Sequence, residues 1–103
     1  MKFIDARDKM YVKSLYLRTY FETREFEQLM YQVDSAKHFI SSTVSLSEKT
    51  RVNFLRFLNY LTNLTNAIEK NDRVEIDIIR KKLTGDPELP FGEWLLLKIE
   101  ELK

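Results

Sequence analysis

The sequence predicts an all-α chain built from antiparallel helical hairpins, and three observations carry that expectation. Residues 15–40, LYLRTYFETREFEQLMYQVDSAKHFI, place apolar side chains at Phe26, Leu29, Met30, Val33, Ala36 and Ile40. That is the i, i+3, i+4, i+7 recurrence of a helix with one face in a core. The polar turn Glu22-Thr23-Arg24-Glu25 separates this stripe from a matching one at Met10, Leu17, Tyr20 and Phe21, and so short a connection makes the two helices antiparallel neighbours. Finally, only two glycines and two prolines occur in 103 residues. They gather at Gly85, Pro87, Pro90 and Gly92, leaving the rest for long uninterrupted elements.

Five helices are expected, over residues 5–22, 25–41, 47–70, 73–84 and 91–102. The first has Asp5 and Asp8 near its positive end. Its apolar residues spread over more than one side, with Tyr11 and Leu15 away from the main stripe, as in a helix that sits between neighbours. After a Ser/Thr-rich loop, Ser45 and Glu48 have capping-box spacing and open the third helix. That helix buries Phe54, Leu55, Phe57, Leu58, Leu61, Leu64 and Ile68 and ends at Asn71-Asp72. Residues 73–84, RVEIDIIRKKLT, carry both an alternating and a helical pattern. Helix is the better reading: Asp72 and Glu75 cap the start, Arg80-Lys81-Lys82 complement the dipole at the end, and Gly85 stands at the C-cap. The bend Asp86–Pro90 precedes a last helix, with Phe91, Leu95, Ile99 and Leu102 facing inward.

Composition narrows the function classes. Lys and Arg number 17 against 16 Asp and Glu, so the net charge of +1 provides no long-range attraction to nucleic acid or an anionic membrane. Without cysteine there is no disulfide framework, thiolate zinc site or thiol nucleophile. No run approaches the roughly 20 apolar residues of a membrane span, and Asp5, Arg7, Asp8, Lys9 and Lys13 interrupt any leader-like stretch near the start. A cytoplasmic protein is expected.

The segment Tyr16–Ile40 resembles a tetratricopeptide unit, a helix-turn-helix repeat of about 34 residues. Tyr20-Phe21-Glu22-Thr23-Arg24-Glu25-Phe26 stands where that motif has an aromatic, a turn and a second aromatic; Thr23-Arg24 replaces the turn glycine, and Leu29 replaces a small alanine. Over nearly its whole length the chain is similar to the C-terminal part of bacterial tetratricopeptide-like proteins of unassigned function. The similarity rests on Asp5-Ala6-Arg7, Tyr20–Phe26, Asp34-Ser35, Phe39-Ile40, Leu46-Ser47, Asn53-Phe54, Arg56-Phe57 and Glu93-Trp94-Leu95-Leu96. The resemblance implies a right-handed helical array. It also implies that residues 1–103 are one helical domain capping the end of a longer repeat protein.

No constellation of residues points to catalysis. His38, the only histidine, follows Asp34 by one helical turn, but a carboxylate-bridged dimetal site needs a second histidine. No metal or other cofactor is expected. The acidic pairs Asp5/Asp8, Glu25/Glu27, Glu75/Asp77 and Glu100/Glu101 lie on charged helix faces and ends rather than converging in a dry cleft. Serines 41, 42, 45 and 47 lack the strand-turn-helix setting of a nucleophile elbow.

Two polar rows are more informative. Arg7, Tyr11, Ser14 and Arg18 recur along one side of the first helix, and Lys49, Asn53, Arg56 and Tyr60 along the third, with Asn63 continuing the row. Any surface helix has a polar face, which is the plain reading of both rows. In a tetratricopeptide-like array the same residues would line a basic, tyrosine-containing groove, and Tyr and Arg carry much of the binding energy at protein interfaces. The expected function is therefore a non-catalytic protein-protein interaction or scaffold module taking an acidic or amphipathic peptide segment. The alternative is a homodimerisation domain pairing through Tyr11 and Leu15. A helical nucleic-acid-binding domain comes third, because Arg80-Lys81-Lys82, Lys49, Arg51 and Arg56 are basic but sit in a chain of near-zero net charge.

Overall fold

A computed structural model describes residues 5–102. Every regular element in it is helical: α1 (Ala6–Glu22), α2 (Phe26–Ser42), α3 (Glu48–Glu69), α4 (Arg73–Thr84) and α5 (Gly92–Glu100). The chain divides into two compact units, Met1–Val52 and Asn53–Lys103, with the first turn of α3 in the first and the remainder in the second.

In the first unit α1 packs on α2. Asp5 caps α1 by accepting from the Asp8 amide at 2.9 Å. Met10, Leu17 and Phe21 are buried on α1, as are Leu29, Val33, Ala36 and Ile40 on α2 and Leu46 in the following loop. The antiparallel sense shows in two cross-contacts: the Phe21 and Phe26 rings lie 5.8 Å apart beside the turn, and the Lys13 ammonium sits 5.3 Å from the Phe39 ring further along.

The turn explains how α1 stops. Arg24 takes the left-handed conformation (φ 58°). Its amide donates to the Phe21 carbonyl at 3.1 Å, and the Glu25 amide donates to the Tyr20 carbonyl at 2.9 Å. These are the paired bonds of a Schellman motif, which satisfy carbonyls that the helix end would otherwise leave bare. At the end of α3 the motif recurs: Asn71 is left-handed (φ 54°), its amide reaches Ile68 at 3.0 Å, and the Asp72 amide reaches Ala67 at 2.8 Å. Both turns leave three residues between helices, 23–25 and 70–72.

The loop after α2 is fastened by one side chain. The Arg51 guanidinium donates to the carbonyls of Ile40, of Thr43 at 3.0 Å and of Leu46 at 3.3 Å. A cation here satisfies the end of α2 and opposes its negative dipole end. The cap of α3 differs from the sequence expectation: Ser47, not Ser45, accepts from the Thr50 amide at 3.2 Å and makes a further hydroxyl bond to Thr50 at 2.9 Å.

In the second unit α4 packs on α5. Burial covers Phe57, Leu58, Leu61, Leu64 and Ala67 of α3, Ile79 and Leu83 of α4, Leu89, and Leu95 and Ile99 of α5. Asp72 caps α4 through the Glu75 amide at 3.0 Å, so the ambiguous stretch 73–84 is helical. The last helix is shorter than expected. Phe91 is its N-cap, left-handed at φ 59°, and a turn follows Glu100. A left-handed non-glycine residue costs about 1–2 kcal/mol. The Phe91 ring lies 5.2 Å from Phe57 and 6.4 Å from Phe54, tilted to both; such pairs contribute about 0.5–1.5 kcal/mol each beyond burial, enough to offset the strain.

Gly85 ends α4 with φ −87° and ψ 8°, an ordinary right-handed setting that uses none of glycine's freedom. A methyl there would meet only the Lys82 and Lys81 carbonyls, at 3.7 and 3.9 Å. Glycine and arginine therefore each stand where the other's properties would serve better. Gly85→Ala should raise stability by about 0.4–1 kcal/mol through the unfolded chain, and Arg24→Gly should raise it by up to about 1 kcal/mol by relieving strain. Urea unfolding followed by circular dichroism measures both, and a loss of stability in either variant contradicts the assignment of its turn.

Candidate interaction surface

The residues of the α1 row have unequal positions. Arg7 and Tyr11 are exposed, whereas Ser14 is 1% exposed and its hydroxyl donates to the Tyr11 carbonyl. Ser14 thus belongs to the packed side of α1 and is not available to a partner. Arg18 donates from Nε to the Ser14 carbonyl at 3.3 Å, and its guanidinium lies 5.9 Å from the centre of the Tyr11 ring.

On α3 the row is also mixed. Lys49 is exposed, while Asn53, Arg56 and Tyr60 are half-buried. Arg56 forms an ion pair with Asp86 of the α4–α5 connection, the two side chains being 41% and 15% exposed. Its charge is engaged within the second unit. Arg51 is likewise occupied at the end of α2. Arg80 and Lys81 meet Asp77, at 2.5 and 3.2 Å. Hydrogen bonds first from Arg80 and then from Lys81 hold the Asp77 carboxyl below its ordinary pKa, and the bond to Asp77 raises that of Arg80. Much of the basic set that the third functional reading relied on is paired inside the protein.

A different feature of α1 stands out. Tyr11, Val12, Leu15 and Tyr16 are 54%, 46%, 44% and 55% exposed. At 100° per residue these i, i+1, i+4 and i+5 positions form one stripe opposite Met10, Leu17 and Phe21. Sequence reasoning placed Tyr11 and Leu15 away from the core but missed Val12 and Tyr16. Their i+4 spacing from each other was the available signal. By contrast, the outward side of α2 is polar apart from Tyr31, with Glu27, Gln28, Asp34, Ser35 and His38 all exposed.

An open hollow of about 400 Å³ lies in the second unit at the α4–α5 junction, lined by apolar Leu83, Leu89, Phe91 and Leu96 with Asp86 and Glu93 at its polar side. Asp86 is the carboxylate already paired with Arg56. Among the described residues, no three His, Asp or Glu side chains stand together in a way that could hold a metal ion, and no helix is long and apolar enough to cross a membrane.

No family model, curated protein or solved structure matches the chain.

The Arg56–Asp86 pair makes a structural contribution that can be isolated. In a double-mutant cycle over Arg56→Ala and Asp86→Ala, the coupling energy should be about 0.5–1 kcal/mol, near the top of the range for a part-exposed pair. Additive effects in thermal unfolding would show that the ion pair adds nothing to stability.

Proposed function

We propose that this chain is a non-catalytic protein-protein interaction module of tetratricopeptide-like type, working as a scaffold element in the cytoplasm. The observation that carries the reading is the exposed Tyr11-Val12-Leu15-Tyr16 stripe. Contiguous apolar surface on a highly charged chain marks a contact site, and tyrosine is among the residues that anchor interfaces. The two three-residue turns with the same left-handed closure, at Arg24 and Asn71, support a repeat-built chain. Arg7 and Arg18 on α1 remain candidate partner contacts, as does Lys49 at the start of α3; Arg56, Asn53 and Tyr60 have structural positions first.

The same stripe also favours the second reading, self-association. One experiment addresses both. Leu15→Glu places a charge in the stripe at a position where the helix accepts it. Affinity capture from the native lysate should lose its specific partners with this variant, while the melting temperature stays within about 2 °C of the parent, as surface substitutions allow. If the parent sediments as a dimer and the variant as a monomer, the stripe serves homodimerisation instead. Unaltered capture together with an unaltered sedimentation coefficient would remove the stripe from both readings.

A further inference from the structure

Resting on the interaction reading above, we propose that the outer face of α1 seats an amphipathic helix whose own apolar stripe is bordered on both sides by Asp and Glu. The argument begins with charge placement around the stripe. Lys9 and Lys13 run along one of its edges, and Arg7 and Arg18 along the other. Between Lys9 and Thr19 the helix carries three cations and no acid. The acids of α1, Asp8 and Glu22, lie toward the stripe's two ends. A ligand lying along the stripe therefore meets Lys9 and Lys13 on one flank, and on the other the exposed Arg7 near the start of the helix with the half-buried Arg18 further along.

Two of the cations are already held. Lys13 rests 5.3 Å from the Phe39 ring and Arg18 rests 5.9 Å from the Tyr11 ring. Such cation–π contacts hold the charges along the edges before a partner arrives, which lowers the entropy lost on binding. The apolar residues suit a helix as occupant. Tyr11 with Leu15, and Val12 with Tyr16, form adjacent i±4 ridges that a second helix can receive in its grooves.

A second copy of the chain fits poorly. A two-fold axis would set cationic edge against cationic edge whether the two α1 helices ran parallel or antiparallel, and like charges at close range are unfavourable. A partner with acidic borders replaces that repulsion by attraction on both sides.

The test uses the full chain and two labelled designed peptides of about 18 residues, five helical turns. Both share one Leu/Ile stripe, bordered by Glu in one peptide and by Lys in the other. Fluorescence anisotropy should show the Glu-bordered peptide binding at least about tenfold more tightly, with the gap narrowing as salt is raised. Arg7→Glu with Lys9→Glu, both at exposed positions, should reverse or erase the preference. Leu15→Gln should weaken binding about tenfold with the circular dichroism melt unchanged. Equal affinity for the two peptides, still weakened by Leu15→Gln, would overturn the acidic occupant while leaving an interaction face. Binding of neither peptide, or a dimer that Leu15→Gln dissociates, would overturn the inference altogether.

Discussion

The structure depends on being able to end one helix and begin the next within three residues. A helix end leaves its last carbonyls without partners, and a buried end without partners is strongly disfavoured. Arg24 and Asn71 resolve this by turning left-handed, so that their own amide and the one after it fold back onto the finishing helix. The following residue is then at the start of the next helix, and α2 and α4 begin at Phe26 and Arg73 without slack. At Asn71 the residue type suits the conformation, since asparagine visits the left-handed region more readily than most. At Arg24 it does not, and the Phe21–Phe26 ring contact across the turn is one interaction that holds the strained link closed.

From this hairpin geometry follows the character of α1. Pairing with α2 covers only the side bearing Met10, Leu17 and Phe21. A solitary surface helix would be polar over the remainder, yet α1 continues with Tyr11, Val12, Leu15 and Tyr16. The contrast with α2 is informative because the two helices are of equal length and belong to the same hairpin. Their outward sides differ in chemistry, with that of α2 largely charged and amide-bearing. The asymmetry is one of composition: apolar and aromatic residues on the outward side of α1, polar ones on that of α2.

Element type was legible wherever periodicity and capping agreed. Asp72 followed by Glu75 outweighed the alternating Val74, Ile76 and Ile78, because a cap fixes backbone amides whatever the side-chain pattern does. The misplaced boundaries have separate causes. The capping-box spacing of Ser45 and Glu48 pointed to the wrong serine: the Thr50 amide donates to Ser47, while Arg51 ties the Thr43 and Leu46 carbonyls of the loop. Phe91 reads as an inward-facing helical residue, but its ring reaches Phe57 and Phe54 from a left-handed cap. The surface was less legible than the core. Ser14 falls on a polar row by spacing alone, yet a hydroxyl that donates to a carbonyl of its own helix can be buried at little cost.

Charge shows most clearly why sums mislead. A net charge of +1 excludes long-range steering but says nothing about distribution. In α3 and α4 the cations Arg51, Arg56, Arg80 and Lys81 are matched by carbonyls or carboxylates within their own unit. In the middle of α1 the acids are missing from the helix itself, and Lys13 and Arg18 lie 5.3 and 5.9 Å from the Phe39 and Tyr11 rings. The near-neutral chain thus sets Arg7, Lys9 and Lys13 beside the exposed Tyr11, Val12, Leu15 and Tyr16. That juxtaposition is what an acidic, amphipathic helix would complement on both counts.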